Sequence, residues 1–268
     1  MKIGFLITAR LKSKRLPLKI IRDLNGKTVI ERLIDRIKEI KNIGEIILCT
    51  STNSQDRPLV DIAKNNNIYS FNGDEEDVLQ RLLDAALFYE LDYFLGITAD
   101  NPLISIYYSN RIINEVKKNK FDFIALEGLP LGAATYGVRT KALKVVCRTK
   151  SVINTEIWGY LINRPELFEI NTIKATGKLN RPELRFTLDY EKDYEFINNL
   201  YSNITFKNVI DLYQVMDYLE NNPEISRINL GCVQADLDEI IKREINDNYS
   251  RNMEKIKKLK NEIYHEFC

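Results

Sequence analysis

The chain has 268 residues, with 39 Lys and Arg against 38 Asp and Glu, and its formal net charge of +1 excludes whole-surface attraction to nucleic acid. At 44% hydrophobic and 29% charged it has the material for one sizeable core plus an appendage, and no stretch approaches the roughly 18 apolar residues that a membrane span needs. Its four cysteines form no C-x-x-C pair and its single histidine, His265, lies near the C-terminus, which argues against a disulfide framework, a structural zinc site and histidine-based catalysis.

The first apolar run follows Met1-Lys2 directly and is too short for a signal h-region, so the expected location is the cytoplasm. That run, KIGFLITA, reads as a strand. TVIERLIDRIKEIK follows with Val29, Ile30, Leu33, Ile34 and Ile37 on one stripe and Glu31, Arg32, Asp35 and Arg36 elsewhere, as a helix covering a sheet requires. EIILCTS, PLVDIAKNNN, IYSFN, DVLQRLLDAALFYE, YFLGITAD, YYSNRIINEVKKN and DFIALE continue the alternation of strand-length and helix-period segments. Such alternation predicts an α/β fold with a mostly parallel sheet, whose ligands bind beyond the carboxyl ends of the strands.

Residues 126–140, LEGLPLGAATYGVRT, concentrate Gly and Pro and read as a loop or insertion point. Beyond them come a helix candidate, TKALKVVCRT, a polar stretch holding Trp158, a half-buried strand candidate, ELRFTLD, and the helix candidate EKDYEFINNLY. After about residue 205 the pattern is helical, with Leu237, Ile241, Ile245, Tyr249, Met253, Ile256, Leu259, Ile263 and Phe267 recurring at steps of three or four. The expected division is a main domain over 1–205 and a C-terminal helical extension over 206–268, which adds a packing layer or an oligomerisation surface.

Positive charge concentrates in one place. TARLKSKRLPLKI, residues 8–20, carries Arg10, Lys12, Lys14, Arg15 and Lys19 with no acid, directly after the first strand. Pro17 stiffens the loop and Ser13 adds a hydroxyl, a combination suited to a polyphosphate. Neither G-x-x-x-x-G-K-[ST] nor G-x-G-x-x-G occurs there, and no glycine lies between Gly4 and Gly26, so phosphate must be gripped chiefly by side chains. Asp100 and Asp189 each end a strand candidate; the plainer reading is a turn or helix-capping aspartate for Asp100 and a cap of the helix beginning near Glu191 for Asp189. Asp77 and Arg81 read as an ion pair one helical turn apart, and Arg139 and Arg185 as surface cations.

ITARLKSKRLPLKII resembles the N-terminal signature Ile-x-Ala-Arg-x-Gly-Ser-x-Arg-Leu-Pro-x-Lys of the cytidylyltransferases that activate acidic sugars, including CMP-acylneuraminate and CMP-Kdo synthetases. DVLQR (77–81), TADNPLI (98–104), PLG (130–132) and RFTLDYEKDYEF (185–196) continue the match in order, nearest to the spore coat polysaccharide biosynthesis protein F branch. The resemblance implies a Rossmann-like nucleotidyltransferase fold, similar to type-A glycosyltransferases, and transfer of CMP from CTP to an acidic sugar by a homodimer. It implies Arg10, Lys19 and Asp100 as catalytic residues. Thr8, Ala9, Ser13, Lys14, Arg15, Asp77 and Arg81 would join them around the nucleotide, Asp100 and Asp189 would bind magnesium, and Arg139, Glu156 and Arg185 would meet the acceptor. Two positions depart from the pattern: Lys12 replaces a glycine and Tyr136 a glutamate common in the nearest branch. A type-A glycosyltransferase and a non-catalytic nucleotide-binding protein are the rival readings.

Overall fold

The structure, a computed structural model, describes residues 1–265, so Phe267 and Cys268 of the reading above lie outside the described residues. One sheet contains β1 (Ile3–Thr8), β2 (Ile46–Ser51), β3 (Tyr69–Gly73), β4 (Tyr93–Thr98), β5 (Phe123–Glu127), β6 (Tyr136–Arg139) and β7 (Ile170–Lys174). Their order is β3-β2-β1-β4-β6-β5-β7, parallel throughout except for β6, which runs against both neighbours. Helices cover both faces. On one lie α1 (Val29–Lys38), α2 (Arg57–Asn65), α4 (Ile106–Lys118), α7 (Glu191–Asn203) and α8 (Leu212–Asn221). On the other lie α3 (Val78–Phe88), α5 (Thr140–Thr149), the short α6 (Gly159–Ile162) and α9 (Glu239–His265). With both faces covered, a central strand such as β1 is apolar along nearly its whole length.

Several local expectations differ from the structure. Residues 136–139, read as loop, form β6, whose pattern is hidden by Gly137. A Cβ there would sit 2.7 Å from both the Ile112 side chain and the Tyr93 hydroxyl, so the sheet needs glycine at this crossing. β7 escapes the periodicity because it is an edge strand with Ile173 as its buried residue. Residues 185–189 make only a bridge between Leu131 and Arg185, and Thr187 and Asp189 are buried along with Phe186 and Leu188. Between α8 and α9 the chain is irregular apart from a 3-10 turn at Ile225–Arg227, where Pro223 and Gly231 disfavour a continuous helix.

The capping box of Thr28 and Glu31 starts α1. Its Arg32 and Arg36 lie off the apolar stripe and are nonetheless buried. Arg36 donates through Nε and Nη2 to the Ile104 carbonyl at 2.9 and 2.7 Å, and through Nη1 to the carbonyl of Ile210. One guanidinium thus satisfies the irregular backbone ahead of both α4 and α8, groups that water does not reach. Ile245, Tyr249, Ile256 and Ile263 of α9 join the core on the α3 and α5 face, and the Tyr249 hydroxyl donates to the Leu161 carbonyl at 2.7 Å.

Replacing Arg36 by Met leaves the carbonyls of Ile104 and Ile210 without donors and should lower the unfolding free energy by about 3 kcal/mol. Urea denaturation checks this; a midpoint equal to that of the parent chain would show that the guanidinium is dispensable.

Candidate active site

The basic loop leaves the carboxyl end of β1, which lies centrally in the sheet. Two anchors set its path. The Leu11 amide donates at 2.7 Å to the fully buried Asp56, which also accepts the Ser51 hydroxyl at 2.6 Å. Leu16 is buried in turn. Leu18 then adopts φ 55°, a left-handed conformation costing a non-glycine residue about 1 kcal/mol, and Lys19 opens a 3-10 turn. Lys12 is not among the residues with positive φ, so lysine in place of the family's glycine brings no backbone strain of that kind. Its ammonium meets Glu75 at 3.3 Å and Glu76 at 3.8 Å. Ser13 is used locally, its hydroxyl accepting from the Leu16 amide at 3.4 Å, and Lys14 is exposed.

At the centre, the Lys19 ammonium donates to Asp100 and, at 2.9 Å, to Asp189. Asp100 also accepts the Thr98 hydroxyl at 2.5 Å and the Asn101 amide at 2.8 Å. Asp189 also accepts Arg15 and Arg185, each at 2.7 Å. Neither carboxylate caps a helix: Ser105 caps α4, and Asp193 accepts the amides of Asp189 and Tyr190 at the start of α7. Gly132, at φ 92°, lets the 130–133 turn seat between the two acidic segments, since a Cβ there would lie 2.6 Å from Asn101 Oδ1 and 2.7 Å from the Thr187 nitrogen. Burial alone would lower the Lys19 pKa, but Asp100 and Asp189 outweigh it and hold Lys19 above the ordinary lysine value. Burial likewise opposes charge on Asp189, and Lys19, Arg15 and Arg185 together hold it below the ordinary carboxylate value.

Arg10 stands on the far side of the loop. It donates to the Glu75 carbonyl at 2.8 Å and lies 3.8 Å from the Glu76 carboxylate and 3.5 Å from that of Glu156. Glu75 and Glu76, which sequence reasoning left unassigned, are thus the counter-charge of Arg10 and Lys12; the run of four acids at 74–77 opposite a run of cations was the available signal. Thr8 and the buried Ala9 form the strand end beneath these groups.

The expected Asp77–Arg81 ion pair is absent. Asp77 caps α3 and accepts Lys150 and, at 3.0 Å, the Thr155 hydroxyl, while the fully buried Arg81 donates to the Asp74 carbonyl at 2.7 Å. Arg185 is buried rather than a surface cation, and its donors go to Asp189, Asp193 and Gln234. Arg139 does not reach the site. It pairs in register with Tyr93 at the opposite end of β4, binds Asp122 at 3.4 Å and covers the Tyr264 ring. Tyr136 lies against Gly96 and packs edge-on to Trp158 at 4.8 Å, which makes the tryptophan a packing residue. Tyr190, also unassigned beforehand, accepts Arg15 at 3.3 Å and lies beneath its guanidinium.

Because one ammonium bonds both Asp100 and Asp189, the two carboxylates can reach one cation. That fits a divalent ion needing one or two protein carboxylates, with triphosphate and water completing its shell. Among the described residues no group of three or more His, Cys, Asp or Glu converges to hold a metal unaided, and no helix is long and apolar enough to cross a membrane.

A family model described as cytidylyltransferase matches residues 5–228. An uncharacterised protein of Methanocaldococcus jannaschii is 32% identical over 245 residues, 90% of this chain and 99% of its own. The spore coat polysaccharide biosynthesis protein SpsF of Bacillus subtilis is 24% identical over 229 residues, 83% of this chain and 95% of its own. Among solved structures, a cytidylyltransferase from Leptospira borgpetersenii matches the fold with a TM-score of 0.78 at 23% identity, over 89% of this chain and 100% of that one.

Changing Asp189 to Asn leaves Lys19, Arg15 and Arg185 under-compensated, at an expected cost of about 2 kcal/mol because Arg15 is partly exposed. Asp189 has a depressed folded value, so its contribution is complete above the ordinary 3.8 and vanishes as pH falls through that folded value. Lys19 has a raised one, so its share persists below 10.5 and is lost as pH climbs through the raised value. Denaturation of both proteins across acid pH should show their difference closing; a gap that stays constant would contradict the assignment.

Proposed function

Because the chain belongs to the cytidylyltransferase family, we propose that it transfers CMP from CTP to an acidic sugar and releases pyrophosphate. The observation that carries this reading is the single Lys19 ammonium shared by Asp100 and Asp189 beside Arg15, at the carboxyl edge of the sheet. It juxtaposes cations for a triphosphate with carboxylates for its counter-ion. The similarity to a spore coat polysaccharide protein supports a sugar acceptor, and the signature in the basic loop supports an acidic one.

In the proposed reaction an acceptor hydroxyl oxygen bonds the α-phosphorus while the bond from that phosphorus to pyrophosphate breaks, and the hydroxyl proton is released. Such transfers depend mostly on placement and on neutralising charge, which explains how a site without histidine can serve. Lys19 and Arg15 exchange carboxylate oxygens for phosphate oxygens, and Arg10 lines the opposite side. Asp100 and Asp189 would hold Mg2+, which as a Lewis acid neutralises triphosphate charge. Arg185 positions Asp189 and Arg139 lies elsewhere, so neither anchors the acceptor carboxylate.

Pyrophosphate release from the four nucleoside triphosphates, crossed with a series of acidic sugars in magnesium, should single out CTP and one acid. Lys19→Ala and Asp100→Ala should each slow that turnover about a hundredfold or more while circular dichroism stays unchanged. Undiminished turnover in both variants would sink the assignment.

A further inference from the structure

The stretch matched by the family model ends at residue 228, and directly beyond it the chain crosses back over the candidate site before entering α9. Hydrogen bonds hold residues 229–234 in place. Asn229 donates to the Arg185 carbonyl and to Asp193, both at 3.0 Å, while Gln234 accepts Arg185 Nη1 at 3.0 Å. The Tyr190 hydroxyl donates to the Val233 carbonyl at 3.2 Å, and the same phenol accepts Arg15. Since Arg185 binds Asp189 with its other terminal nitrogen, the segment stands one guanidinium away from the carboxylate pair.

Between this segment and residues 182–185 lies a cavity of about 140 Å³, bordered by Leu131, Arg185, Ser226, Leu230 and Gln234. It is below the several-hundred Å³ that encloses a whole ligand, so it suits one ring. Its lining, which also includes Glu183 and Cys232, mixes polar groups with leucines, and the Ser226 hydroxyl, which donates to the Pro223 carbonyl at 2.7 Å, keeps its lone pairs for a ligand; such a mixture matches the hydroxyl and C–H faces of a sugar. Gln234 gives its oxygen to Arg185 and so keeps its amide hydrogens for a ligand. Leu131 adjoins Gly132, the residue wedged between the Asp100 and Asp189 segments, and Arg185 bonds Asp189, so two residues of the cavity wall also contact those segments.

We infer that this cavity is the acceptor subsite: it takes the hydroxyl-bearing sugar ring, with Gln234 and Ser226 as specificity-determining residues supplied from the far end of the chain. The inference rests on the proposed nucleotidyl transfer for its acceptor, but its test is binding. Saturation-transfer NMR on the full chain, with 3-deoxy-manno-octulosonate, N-acetylneuraminate, glucuronate and glucose as probes, should show contact with at least one sugar. Gln234→Ala should weaken that sugar about tenfold, and Ser226→Phe, which fills the cavity, should abolish it. CTP affinity by calorimetry should stay within about twofold in both. No transfer to any probe, binding indifferent to both substitutions, or CTP affinity falling in step would overturn the subsite. A chain that binds sugar here yet releases no pyrophosphate keeps the subsite and defeats the transfer reading, so the two failures are distinguishable.

Discussion

The Lys19 ammonium is the point on which the arrangement turns. Two carboxylates near enough to share it would repel by a few kcal/mol without a cation between them, and the ammonium offsets that repulsion. They come from three distant segments. β1 and β4 run in register, Thr8 beside Thr98, and this delivers the loop holding Lys19 and the turn holding Asp100 to the same edge. Asp189 arrives later, steered by the Leu131 bridge and fixed by Arg185. The buried arginines serve as fasteners for irregular backbone: Arg36 secures the approaches to α4 and α8, and Arg185 ties the start of α7 to the segment before α9.

Charge in the site is balanced locally. Arg10 and Lys12 face the 74–77 acids, and Arg15 and Lys19 face Asp189 and Asp100. In the proposed reaction a triphosphate and its counter-ion would therefore replace partners of like sign. This limits the penalty for holding several cations close together.

Much of this was legible in the residues, for identifiable reasons. The parallel strands and covering helices advertise themselves through runs such as IGFLI and the stripe of α1, because burial on both faces leaves little room for polar residues. The loop cations stood out because no acid interrupts them. Their counter-charges did not, since Asp100 and Asp189 look locally like turn or cap residues and only tertiary contact separates the roles. Arg139 shows the cost of one missed element. With Gly137 concealing β6, nothing indicated that this strand runs backward, and the end of an antiparallel strand lies at the opposite edge from its parallel neighbours. The burial of Arg32 and Arg36 was not legible for a related reason: helical periodicity marks the sheet-facing stripe but not what later folds over the other side.

The anchoring of the basic loop has an evolutionary corollary. Leu11 through its amide and Leu16 through its side chain dictate where the backbone goes, whereas the outward positions 12 and 14 contribute little to that course. Contour and polarity are thereby uncoupled: a lineage can swap glycine for lysine at position 12, adjusting local affinity for anions, without redrawing the loop that carries it.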